Sequence, residues 1–79
     1  MRSIFEEFGV NVKNARADRS MTQEELAEKA QLERKTISSI ENGDGNPTLM
    51  TIELIAEALN MKIYQLFVFD DETEEIENE

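Results

Sequence analysis

The stretch Thr22-Gln23-Glu24-Glu25-Leu26-Ala27-Glu28-Lys29-Ala30-Gln31-Leu32-Glu33-Arg34-Lys35-Thr36-Ile37-Ser38-Ser39-Ile40-Glu41-Asn42 decides the reading of this chain. It opens as a helix opens. The Thr22 hydroxyl is a natural N-cap, Glu25 three residues on completes a capping box, and Met21 is placed to staple onto Leu26. The helix runs to about Ala30. After a short break at Gln31-Leu32, a second helical pattern extends from Glu33 to Asn42, with Ile37 and Ile40 turned inward and Gly43 available just past its end.

Outward from this stretch, the sequence continues in helices. On the N-terminal side, Phe5, Phe8, Val12 and Ala15 recur at a 3-4-3 spacing, which predicts an amphipathic helix ending near Arg19, weakened slightly by Gly9 and Val10. On the C-terminal side, Asn42-Gly43-Asp44-Gly45-Asn46-Pro47 holds two of the three glycines and the one proline, so it reads as a loop. Thr48 then caps a fourth helix, in which Ile52, Ile55, Ala56 and Leu59 fall at i, i+3, i+4 and i+7. A fifth helical turn is expected around Ile63 to Phe67. The expected architecture is all-α, a compact five-helix bundle over residues 1–69.

Composition narrows the function. The 79 residues contain no cysteine and no histidine, so the usual bases, thiol nucleophiles and metal ligands are missing, and neither enzyme chemistry, a metal site nor a cofactor is expected. No apolar run approaches the roughly 18 residues of a membrane span. With no signal-peptide pattern in Met1-Arg2-Ser3-Ile4-Phe5, this points to a soluble cytoplasmic protein. The net charge of −10 argues at first against a polyanionic partner. That charge is unevenly spread. Seven acids and no base lie in the acidic tail, residues 70–79, leaving residues 1–69 with eight bases against eleven acids, a balance of −3.

Two short helices across a tight turn are the raw material of a helix-turn-helix, here about residues 22–42, whose second helix enters the major groove of DNA. Counted from Gln23, the motif asks for small or apolar residues at six steps, and Leu26, Ala27, Ala30, Leu32, Ile37 and Ile40 fill them all. In a chain that is 39% hydrophobic, six of six arises by chance roughly four times in a thousand per register. The surrounding runs add specificity: Ile37-Ser38-Ser39-Ile40-Glu41-Asn42-Gly43, then Asn46-Pro47-Thr48, then Ile55-Ala56-Glu57-Ala58-Leu59. Together with Thr22 to Ala27, these closely resemble the Xre-like helix-turn-helix regulators, which include phage repressors, Cro proteins and the controller proteins of restriction–modification systems. The resemblance covers about residues 5–67, and Gln31-Leu32-Glu33-Arg34 is most similar to the controller proteins. One departure stands out: the turn position commonly filled by Gly is Gln31, which must accept a left-handed φ at a cost of about 1 kcal/mol or more.

The resemblance implies a phage-repressor type of fold and a transcriptional regulator that binds operator half-sites in double-stranded DNA. Helical geometry sorts the third helix independently. At about 100° per residue, Ile37 and Ile40 define the inward side, and Lys35, Ser38, Ser39 and Asn42 lie near the opposite face. Arg34 sits a quarter-turn aside at the helix start. Arg34, Lys35, Ser38 and Ser39 are the expected base contacts, with Arg34 suited to bidentate reading of guanine. Gln23, at the position where the family places a phosphate contact, is joined by Asn42, Asn46 and Thr48 as expected phosphate contacts. Glu33 is available to cap the third helix. The resemblance also implies an ion pair between Arg16 and Glu41.

A single recognition helix reads few bases, so a two-fold homodimer is expected. Leu54, Ala58 and Met61, with Tyr64, Phe67 and Phe69, exceed what a small core needs and form the expected interface. An alternative is an antitoxin-type or other protein-interaction module of the same fold, whose acidic tail binds a basic protein partner.

Overall fold

The computed structural model describes residues 2–69; the acidic tail expected at 70–79 lies outside the described residues. Four α-helices follow one another: α1 Ile4–Asp18, α2 Gln23–Ala30, α3 Arg34–Glu41 and α4 Leu49–Ala58, and a 3-10 helix, Ile63–Phe67, is the last element among the described residues. No strand occurs among the described residues. The fold is all-α as expected, but the fifth helix is corrected to this 3-10 turn. The i→i−3 pattern, as in the Gln65 N–H to Lys62 carbonyl bond of 2.9 Å, is the one commonly used for such short pieces.

Side chains written into the sequence start three of the four α-helices. Ser3 and Glu6 form a capping box on α1, Thr22 and Glu25 form one on α2, and the Thr48 hydroxyl accepts from the Thr51 N–H at the head of α4. The fourth case differs from expectation. Glu33 is the N-cap of α3 but its side chain makes no capping bond, because its carboxylate sits on a longer stem than the Ser, Thr or Asp that reach this position well.

All four α-helices end alike. Ser20, Gln31, Gly43 and Asn60 adopt left-handed φ values of 56°, 61°, 78° and 58°. The next residue then donates its N–H five residues back, Met21 to Arg16, Leu32 to Ala27, Asp44 to Ser39 and Met61 to Ala56. This is the Schellman closure, which satisfies otherwise orphaned carbonyls. After α1, α2 and α4 the donating residue is apolar and packs against the core; after α3 it is Asp44.

The core gathers Phe8, Val12 and Ala15 of α1, Leu26, Ala27 and Ala30 of α2, Ile37 and Ile40 of α3, Ile52, Ile55 and Ala56 of α4, then Leu59 and Leu66. Phe5, placed on the same stripe of α1 by its spacing, stays exposed in the first turn. Gly9 has a reason that its helix does not supply. A Cβ there would collide with the Ile40 carbonyl oxygen, so glycine lets the α1 backbone lie directly on the end of α3. On the other side of α1, Asn11 Nδ2 donates to the carbonyls of both Leu66 and Val68, at 2.9 Å each, and Phe8 stacks on Phe67 with centroids 4.9 Å apart. The α1 helix thereby holds α3 with one face and the C-terminal segment with another.

Candidate nucleic-acid interface

The surface built by α2, α3 and the loop to α4 contains two shallow concavities. The first lies between α3 and the start of α4 and is lined by Lys35, Thr36, Ser39, Asp44, Asn46 and Thr48, among others. The second lies where α1 ends and α2 begins, lined by Arg16, Met21, Thr22, Gln23, Glu24 and Arg34. Of the expected base contacts, Arg34, Lys35 and Ser39 are exposed and Ser38 is half-buried. Of the expected phosphate contacts, Asn46 and Thr48 share the first concavity with Lys35 and Ser39, and Gln23 shares the second with Arg34. Asn42 is exposed and borders neither.

Four polar side chains are linked beneath this surface. Arg16 Nε donates to Glu41 Oε2 at 2.7 Å, and Arg16 Nη2 donates to Glu41 Oε1 at 3.0 Å. The pair expected from the family pattern is therefore a fork on a carboxylate whose side chain is only 2% exposed. Arg16 Nη1 donates in addition to the Met21 carbonyl at 2.7 Å, pinning the α1–α2 turn. The hydrogen bond to Glu41, reinforced by its charge and opposed by burial, pushes the Arg16 pKa above its ordinary value. The Arg16 guanidinium stays charged wherever the protein is folded near neutrality.

Two bonds that the sequence did not suggest extend this pair outward. Gln23 Nε2 donates to Glu41 Oε1 at 3.0 Å, and Arg34 Nη1 donates to Gln23 Oε1 at 2.7 Å. Neither pair has a helical spacing, since 18 and 11 residues separate the partners. Only the tertiary fold brings them together.

A second surface, apolar, lies elsewhere on the molecule. Met50, Leu54 and Ala58 recur every four residues on the side of α4 away from Ile52 and Ile55. Met50 and Tyr64 are 62% and 65% exposed, and Leu49, Ile63 and Val68 are exposed near them in the chain. Leu54 and Phe69 are half-buried, while Ala58, Met61 and Phe67 pack against the core from its edge. Phe67 already has an aromatic partner within the chain, Phe8. The exposure of Leu49, Ile63 and Val68 has no periodic signal in the sequence, whereas extending the helical wheel into the first turn of α4 brings out Met50.

The geometry of α2, turn and α3 agrees with a comparison of the whole chain. The family described as Helix-turn-helix matches residues 12–66. The chain belongs to the Xre-like helix-turn-helix family. This Xre-like chain is 46% identical over 61 residues to an HTH-type transcriptional regulator of Archaeoglobus fulgidus, covering 77% of this chain and 87% of the relative. It is 39% identical over 56 residues to control protein C.SmaI of Serratia marcescens, covering 71% and 67%. Among solved structures it is similar to the restriction–modification controller protein C.AhdI of Aeromonas hydrophila, with TM-score 0.78, 30% identity and coverage of 80% and 96%. The Xre-like chain is thus a helix-turn-helix transcriptional regulator and not an enzyme. No helix among its described residues is long and apolar enough to cross a membrane.

Proposed function

We propose that this regulator binds duplex DNA sequence-specifically, as a homodimer that sets α3 of each subunit into the major groove of an operator half-site. The observation that carries this reading is the layout around α3. The exposed Arg34, Lys35 and Ser39 are flanked by Gln23 at the start of α2 and by Asn46 and Thr48 at the start of α4. Side chains suited to base edges thus lie between groups suited to phosphates, which is the division of labour that specific binding needs. Short Ser39 lets the backbone approach the groove, and Arg34 offers the paired donors that match guanine O6 and N7.

The homodimer rests on the exposed apolar side of α4 and the 3-10 helix, around Met50, Leu54 and Tyr64. A two-fold dimer that reads successive turns of one face of the duplex needs its two α3 helices about 34 Å apart, one turn of DNA.

The deciding experiment is selection of binding sites from random duplexes, followed by titration of variants. A palindromic operator should emerge. Arg34→Ala should lose about 1–3 kcal/mol of discrimination at one base pair per half-site, while Gln23→Ala should weaken binding to every sequence. If no sequence is enriched, or if sedimentation finds only monomer with and without the selected DNA, the reading fails.

A further inference from the structure

The link from the buried ion pair to the surface has a direction. The geometry points to Glu41 as a positioning residue for DNA reading: through Gln23 it fixes the Arg34 guanidinium, so that base discrimination, and not folding alone, depends on a carboxylate buried behind the interface. This rests on the proposed reading of DNA by α3.

Which groups donate and which accept fixes that direction. An ionised carboxylate only accepts hydrogen bonds and a guanidinium only donates them. Glu41 Oε1, already accepting from Arg16 Nη2, faces the Gln23 amide at 3.0 Å and therefore demands its NH2 end. Arg34 Nη1, on the other side at 2.7 Å, demands its carbonyl end. One orientation of the amide satisfies both neighbours, and the reverse orientation opposes donor to donor and acceptor to acceptor. Gln23 thus carries the acceptor character of a buried charge out to the surface. Both of its bonds are made to ionised groups, the stronger kind of hydrogen bond.

The consequences suit a reading side chain. Arg34 sits at the first position of α3, whose N-cap Glu33 makes no side-chain bond, so little local structure holds its guanidinium. The bond to Gln23 removes part of its rotamer freedom before any DNA arrives, and such preorganisation cuts the ordering cost of binding. It occupies one of the five guanidinium N–H groups and leaves enough to reach a base edge bidentately. The second N–H of the Gln23 amide also stays available to a phosphate, so the tie to Glu41 and a backbone contact are compatible.

Glu41→Gln tests the inference. The neutral side chain keeps the shape but puts an NH2 where one oxygen was. With its oxygen toward Gln23 that NH2 faces Arg16 Nε, donor against donor; with its oxygen toward Arg16 Nε it loses the Gln23 NH2. Either way the uncharged oxygen is the weaker acceptor. Binding would be measured against three duplexes: the operator selected from random DNA, the same operator with the Arg34-dependent base pair exchanged, and an unrelated duplex of equal length. Glu41→Gln should narrow the ratio between the first two about tenfold, within the range of one bidentate contact, and leave affinity for the unrelated duplex within about twofold. Circular dichroism would establish that the variant is folded at the assay temperature. Gln23→Met, which leaves the Arg16–Glu41 fork in place, covers the case in which Glu41→Gln does not fold. It should narrow the same ratio to a similar degree, and if both single variants fold, the double variant should narrow it no further.

A folded Glu41→Gln that discriminates like the parent overturns the inference, as does an unchanged ratio in Gln23→Met. If Arg34→Ala lowers the ratio and these two variants do not, only the relay through Gln23 is wrong. If Arg34→Ala also leaves the ratio unchanged, the assignment of Arg34 to base reading falls, and the relay with it.

Discussion

The helices α2 and α3 are equally long, eight residues each, yet they are held by different means. The α2 helix carries its own instructions: a capping box at Thr22 and Glu25, acids in its first turn, Lys29 in its last, and a Schellman closure with apolar Leu32 behind it. The α3 helix has no side-chain cap, no acid in its first turn and no base in its last. It is held from outside, by burial of Ile37 and Ile40, by the α1 backbone at Gly9 and by the Arg16–Glu41 fork. The lesson is a division of roles along one motif. Under the proposed reading α3 offers its N-terminal side chains to DNA and does not commit them to capping itself, and the rest of the domain supplies the stability that those side chains do not.

Five substitutions break or sharpen this contrast. The largest effect is expected from Arg16→Ala, which leaves the nearly buried Glu41 carboxylate without its partner and should cost about 3–5 kcal/mol in urea unfolding. Gly9→Ala comes next. Its methyl group collides with the Ile40 carbonyl oxygen, and the resulting strain should cost about 1–3 kcal/mol, although alanine is the better helix former in isolation. An unchanged unfolding midpoint for either variant would mean that α3 is not held from α1. The sharpest comparison pairs two N-caps. Thr22→Ala should lose about 1 kcal/mol, whereas Glu33→Ala should stay within about 0.5 kcal/mol of the parent, and equal losses would erase the distinction between the two helices. The smallest effect is expected at the turn. Gln31→Gly relieves a left-handed residue of about 1–2 kcal/mol of strain but adds chain entropy to the unfolded state, for a net gain below about 1 kcal/mol, readable as a modest rise in Tm.

The same contrast explains what was legible in the sequence. The start of α2 and the core face of α4 could be read directly, because their signals, Thr22 with Glu25 and Ile52 with Ile55, Ala56 and Leu59, lie within one or two turns of each other. The left-handed turn at Gln31 was legible once the motif was aligned. Gly9 was read as a weakness of α1, since the carbonyl that requires it belongs to Ile40 and no local pattern points there. Gln23 was assigned to a phosphate and Arg34 to a base as independent residues, for the bond between them exists only when the two helices are docked. Phe67 reads as an interface residue from its place among the surplus apolar residues of the sequence; its stacking on Phe8 is invisible there, because Phe8 stands near the far end of the chain. Periodicity finds which faces are buried; it does not report which polar groups meet across the fold.

The Asn11 side chain bonds carbonyls 55 and 57 residues further along the chain. On a ribosome the N-terminal helix is made first and waits, with this amide hydrated, until residues 66–68 have left the exit tunnel. Phe8 waits with it for Phe67, and the fully buried Leu66 arrives in the same few seconds of synthesis. A chain stopped just short of Leu66 would possess every residue of the helix-turn-helix and still leave one face of α1 open, with Asn11 and Phe8 lacking the partners that close the domain.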